Sequence, residues 1–190
     1  MSFTGLWKLN CEKTLSQKTI LRAMGRPTWQ ISVIDGANED FRLLHFTRSV
    51  NDKKIHYIEK NVRIFLNSQF LSTISYWLSI PFNEVQYKHI LLANGQAVQH
   101  ADDAKQFGPC TSRTVWTDEG FTIRWYLSAG LLKVTHQVLN NNTELHVKLH
   151  FTNHDNVTTV STKIYDRQPW RPTDLEYIQH NAHAQYLNQT

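Results

Sequence analysis

From Thr111 to Arg167 the chain reads as five strand-like runs, 111–117, 120–128, 131–139, 143–152 and 157–167, each seven to eleven residues long. Their separators are Asp118-Glu119-Gly120, Ala129-Gly130, Asn140-Asn141-Asn142 and Asn153-His154-Asp155-Asn156. All are short and rich in residues that accept turn conformations. Runs joined this tightly must lie antiparallel to their neighbours, because a parallel crossover needs a dozen residues or more. Leu145, Val147, Leu149 and Phe151 alternate with Glu144, His146, Lys148 and His150, and Leu132, Val134, His136 and Val138 share one face of the run before. A long antiparallel sheet with one apolar face must curl or close, since an open one leaves aggregating edges.

The front half adds weaker signals. Thr4 to Cys11 reads as a strand, and Thr14-Leu-Ser-Gln17 is a capping-box pattern for a short helix ending at Met24, closed by Gly25. Trp29, Ile31 and Val33 alternate and predict a strand, with Asp35-Gly36 as a hairpin turn before Asp40–Arg48; Asn51-Asp52-Lys53 turns into Ile55–Lys60. Asn94-Gly95 predicts a second hairpin between Tyr87–Leu92 and Ala97–His100. Beyond Gln168, Pro169-Trp170-Arg171-Pro172 reads as a stiff linker, and Leu175, Ile178, Ala182 and Tyr186 fall on one helical face. The expected fold is all-β. It is a closed antiparallel up-and-down barrel of about ten strands with an internal cavity, because that many strands enclose more room than their own side chains fill. One short helix follows the first strand and a C-terminal helix ends the chain, which divides into a barrel at 1–167 and a linker with helix at 168–190.

Composition narrows the function. Hydrophobic content of 41% with 19% charged residues suits a folded globular chain. The net charge of +4 is scattered, and Lys53-Lys54 is the longest basic run, so no stripe marks a nucleic-acid track. The apolar stretch from Ile64 to Ile80 is broken by Asn67, Ser68, Gln69, Ser72, Thr73 and Ser75, and it does not read as a membrane span. Cys11 and Cys110 form no disulfide framework, and Met1-Ser-Phe-Thr-Gly5 runs straight into the first strand, so a reduced, cytoplasmic chain is expected. There is no Gly-x-Ser-x-Gly, phosphate loop, dinucleotide fingerprint or His-Glu-x-x-His, and no cofactor or metal is expected.

Phe3-Thr-Gly-Leu-Trp-Lys-Leu9, the acidic turn Ala101-Asp102-Asp103-Ala104-Lys105, the strand series from Thr111 to Arg167 and the final Ser161-Thr-Lys-Ile-Tyr165 together resemble the intracellular lipid-binding proteins, the cytosolic fatty-acid- and retinoid-binding barrels. The resemblance implies that a lipophilic acid lies inside, its carboxylate held by two arginines and a terminal tyrosine. Tyr165 matches the tyrosine, Lys163 stands at the second arginine and His136 at the first. Replacing both arginines weakens the usual clamp, because guanidinium grips carboxylate bidentately whereas lysine is a point charge. The family's helix-turn-helix lid has room here for one helix only, so the resemblance implies a differently built portal.

These readings leave choices open. Plain alternation groups Val160, Thr162 and Ile164 on the inner face and puts Lys163 in solvent; the resemblance turns Lys163 inward. His136 falls on an apolar face, as a satisfied core residue or a ligand contact. Arg124 is a reserve cation, Trp125 and Val134 are candidate lining residues, and Trp7 is expected to plug one end. His146 with His150, and His180 with His183, lack a third partner for a metal. The expected function is non-enzymatic binding and transport of a lipophilic small molecule, a fatty acid or an isoprenoid or retinoid-type acid, by a monomer with at most transient membrane-surface contact. The rivals are a barrel enzyme (an isomerase or a luciferase-type oxygenase) and a haem- or tetrapyrrole-binding barrel. A bound carboxylate would raise the pKa of His136, so affinity is expected to rise from about pH 8 toward pH 6.

Overall fold

The computed structural model describes residues 3–50, 53–65, 84–100, 110–117, 120–173 and 175–176. Ten strands make one antiparallel sheet: β1 (Gly5–Leu9), β2 (Asn38–Val50), β3 (Lys53–Phe65), β4 (Glu84–Leu92), β5 (Asn94–His100), β6 (Cys110–Thr117), β7 (Gly120–Leu127), β8 (Gly130–Leu139), β9 (Glu144–Asn153) and β10 (Thr158–Gln168). Their spatial order is β4-β3-β2-β1-β10-β9-β8-β7-β6-β5, so the first and last strands in sequence meet at the middle. Trp7 faces Arg167 across one β1 ladder and Phe41 across the other.

The sheet is rolled. Trp116 on β6 stacks on His45 of β2 at 4.0 Å and on His56 of β3 at 4.7 Å between ring centroids. β6 and β2 stand six places apart in the order, about 29 Å in a flat sheet. Curling has therefore carried the two halves face to face. Hydrogen-bonded closure, expected from the sequence, is not made: among the described residues no ladder joins β4 to β5.

The chain steps from β4 to β5 through Ala93 alone, whose N–H donates to the His56 carbonyl at 2.8 Å. Asn94-Gly95 therefore forms no hairpin. Asn94 Oδ1 accepts the Gln96 N–H and Gly95 sits at φ 80°, turning the chain from one end of the sheet to the other. The expected turns at 129–130, 140–142 and 153–156 all stand where the sequence put them, with Asn140, Asn141 and Asn142 at φ 49°, 54° and 69°.

Two helices, not one, follow β1: α1 (Lys18–Ala23) and α2 (Thr28–Gly36). The run 28–36, expected as strand and hairpin turn, is helical. Pro27 precedes its first turn, where a missing N–H costs nothing, and Ile31 donates to the Pro27 carbonyl. A short apolar run fits both periods, and here the burial of Ile31 against Ile20, Leu21, Leu132 and Phe151 favours the helix. Gly25 closes α1 at φ 74° as expected. The capping box does not form; the Asp35 carboxylate instead accepts the Ser16 hydroxyl at 2.9 Å and the Gln17 N–H at 2.6 Å.

The far end is sealed by aromatics. Trp7, Phe3, Phe41, Phe121 and Tyr165 are all buried, with Phe3 edge-on to Trp116 and Phe121. β10 ends at Gln168, and 172–173 and 175–176 are helical; the rest of the C-terminal helix expected from the sequence lies outside the described residues, as do the expected acidic turn at 101–105 and His180 and His183.

Gly120 opens β7 at φ 155°, and a Cβ there would collide with the His136 carbonyl oxygen. Gly120→Ala is expected to destabilise the chain by about 1–3 kcal/mol, measured by urea denaturation. An unchanged midpoint would show that this approach of β7 to β8 is not required.

Candidate functional site

The inner face of each strand follows from burial and register. On β10, Val160 is 54% exposed while Ser161 and Tyr165 are buried, so 161, 163 and 165 point inward. Lys163 is therefore inside, against plain alternation. Its partner is Glu39 of β2: Nζ lies 3.1 Å from Oε2, with the two side chains 16% and 12% exposed. The Tyr165 hydroxyl donates to the other oxygen of the same carboxylate. Glu39 thus occupies, on the inside, the anion position that the resemblance assigned to a ligand.

Two further polar groups complete the cluster. Lys60 of β3 stands opposite Leu43 in the ladder, and its Nζ lies 4.1 Å from the centroid of the Phe41 ring. His136 of β8 is 1% exposed, stacks on Phe121 at 4.2 Å, and neither ring nitrogen has a hydrogen-bond partner among the described residues. A buried imidazole with both nitrogens unmet is costly, and it marks a place where something polar is wanted.

Burial sets the charge states. For Glu39, burial is the largest influence and pushes the pKa up. The two lysines and the Tyr165 hydroxyl together outweigh it and hold the carboxyl below its usual range. Lys60 falls to about 8, chiefly through burial, with Lys163 adding to the fall and Glu39 opposing it. His136 falls well below its ordinary value through burial and then the charge on Lys60. At pH 7 the described cluster therefore holds two ammoniums, one carboxylate and a neutral imidazole.

Other sequence candidates divide. Trp125 and Val134 pack on the interior clusters yet remain partly accessible, so both are positioned to line the interior. Arg124 is exposed on the outer face of β7, one step out of phase with Ile123 and Trp125. Trp7 seals the closed end: its indole N–H donates to the Phe3 carbonyl at 3.1 Å, and the Arg167 guanidinium lies 4.4 Å over its ring. His146 pairs with Glu144 at 3.0 Å. Among the described residues no three metal-ligating side chains converge.

Glu39 and Lys60 were not read as site residues from sequence. The signal was a charge on the apolar face: Glu39 continues Phe41 and Leu43, and Lys60 sits between Ile58 and Val62. The expected strand began at Asp40, one residue too late to expose it.

At the other end of the roll, α1 and α2 pack over Leu132 and Phe151. A pocket of about 180 Å³ opens there between the α1–α2 turn and the β7–β8 turn, lined by Met24, Arg26, Pro27, Gln30, Leu127 and Ala129. Strand order, paired helices between the first two strands, and the break between β4 and β5 together define a known architecture. The chain has the fold of the fatty-acid-binding proteins. Fluorescent protein UnaG superposes with a TM-score of 0.52 at 17% identity, over 87% of this chain and 97% of that one. The fatty-acid-binding protein from Manduca sexta gives 0.52 at 13%, covering 87% and 99%. Zebrafish ileal bile acid-binding protein complexed with cholic acid gives 0.50 at 11%, covering 87% and 98%. No family model and no curated protein matches the sequence. The helix pair of this fold is thus present here, correcting the expectation of a single-helix portal.

Proposed function

We propose that the chain binds a lipophilic small molecule inside the rolled sheet without turning it over, its apolar body along Trp125, Val134 and Leu149 and its polar end at Glu39, Lys60, His136, Lys163 and Tyr165. The observation that carries this reading is the inward polar cluster with an unmet imidazole, set among apolar side chains that keep accessible surface on the inner face. Fatty-acid- and bile-acid-binding proteins of the same fold support the ligand class. The described cluster carries a net charge of +1 (Lys60 and Lys163 against Glu39), which favours a monoanion such as a fatty acid or an isoprenoid or retinoid-type acid. Burying the ligand body contributes about 0.8 kcal/mol per CH₂, less the cost of ordering it. Two free cysteines, Cys11 exposed and Cys110 buried, suit a reducing setting.

The pH dependence follows from Lys60 rather than His136. Burial and the charge on Lys60 hold the His136 pKa well below its ordinary value in the free chain, so the decline on the alkaline side is carried by Lys60. An anion binds the protonated Lys60, which the free chain loses near pH 8. A bound anion holds that proton to higher pH, so affinity is flat below about pH 7 and falls about tenfold between pH 7 and pH 9. Burial, Glu39 and Lys163 set the midpoint of this amine, and Tyr165 and His136 are the other described polar groups of the cluster. Calorimetric titration with hexadecanoate tests both points. One site per chain with that decline is expected; no saturable binding would remove the reading.

A further inference from the structure

We propose that Lys60 is a carbonyl-capture site, at which the side-chain amine forms an imine with a lipophilic aldehyde. The inference rests on the proposal that the interior admits such molecules and adds a covalent step to it.

Geometry distinguishes Lys60 from the chain's other described lysines. Lys163 is held by Glu39, Lys13 by Glu144, Lys18 lies 3.5 Å from Asp35, and Lys8, Lys133 and Lys148 are exposed. Among the described residues Lys60 has no hydrogen-bond partner; its Nζ rests over the Phe41 ring, on a face shared with buried Leu43, Ile58 and Val62. A desolvated amine beside another cation is the arrangement that leaves lysine nucleophilic. With its pKa near 8, roughly a quarter of Lys60 is neutral at pH 7.5, against about one part in a thousand for an ordinary lysine.

The step balances without a co-reactant. The Nζ lone pair forms a C–N bond to the carbonyl carbon, and a proton passes from nitrogen to oxygen to give a carbinolamine. The C–O bond then breaks, the hydroxyl leaves with the remaining nitrogen proton as water, and C=N forms; nothing is oxidised or reduced. Glu39 supplies the counter-charge for a protonated imine. His136, neutral and with both nitrogens unmet, is a second, independent sign that a polar group enters this space.

The test incubates the chain with dodecanal and sodium cyanoborohydride at pH 7.5, followed by intact mass and peptide mapping. Expected is one alkyl group per chain, at least about tenfold more on Lys60 than on any other lysine, and its loss in Lys60→Arg, with circular dichroism confirming the fold of the variant. Lys60→Met gives a second, uncharged comparison and should lose the label equally. Labelling spread over exposed lysines, or persisting in both variants, overturns the proposal. Displacement of 1-anilinonaphthalene-8-sulfonate by dodecanal and by dodecanoate separates the two readings. Displacement without a Lys60 adduct rejects the covalent step and leaves interior binding intact; no displacement by either compound rejects both.

Discussion

Glu39→Gln is expected to lower the unfolding free energy of the ligand-free chain by about 3–5 kcal/mol at pH 7, read from urea denaturation. The Glu39 carboxylate meets Lys163 at 3.1 Å, accepts the Tyr165 hydroxyl, and is the counter-charge to Lys60. Neutralising it leaves Lys163 without its buried partner and removes the charge that holds the Lys60 pKa up. The same variant should bind hexadecanoate more tightly, by about tenfold, because the ligand's carboxylate then has Lys163 and Tyr165 to itself. Adding hexadecanoate should therefore recover much of the lost stability. Removing both partners, as Glu39→Gln with Lys163→Met, should cost less than Glu39→Gln alone, since no unpaired charge remains at that pair. A double-variant loss equal to the sum of the losses in Glu39→Gln and in Lys163→Met alone would show that the pair is not coupled.

Trp7→Ala is expected to cost about 3–5 kcal/mol, and to lower Tm by roughly 10 °C in a chain of this size. Trp7 is fully buried between β2 and β10, facing Phe41 and Arg167 in the two ladders, and its ring carries the Arg167 guanidinium. The guanidinium in turn donates to the Thr4 carbonyl at 2.9 Å and the Asn142 carbonyl at 2.6 Å, so one indole anchors both the chain start and the β8–β9 turn. Trp7→Phe keeps much of the apolar area and should cost less than half as much. A loss below about 1 kcal/mol for Trp7→Ala would mean that the closed end is sealed by Phe3 and Phe121 without it.

The part of the fold legible in the sequence was the part made by local chemistry. Gly130, the three asparagines at 140–142 and Asn156 take positive φ, and each marks a turn that sequence alone located. Where geometry depends on distant partners, local pattern failed. Asn94-Gly95 has hairpin chemistry, yet β4 pairs with β3 and β5 with β6, so its turn redirects the chain instead. The Trp29, Ile31 and Val33 alternation fits a strand, but Ile31 is claimed by the α1 and β8–β9 side chains. Lys163 shows the same limit at the site. Ladder register with Val147 puts it inside, beside a carboxylate from another strand, and its own neighbours Thr162 and Ile164 give no hint of this. His136 was legible because its face is apolar throughout. Its unmet nitrogens were not, since they depend on what surrounds the ring.

The account stands on a ligand lying within the roll with its head at Lys60 and His136, and isotope-filtered NOE spectroscopy of the chain with ¹³C-labelled hexadecanoate observes that directly. Contacts from the ligand methylenes to Trp125, Val134 and Leu149, with the carboxyl end nearest the His136 ring, are the predicted result. Contacts confined to Tyr126, Leu139 and Val160 on the outer face would contradict it.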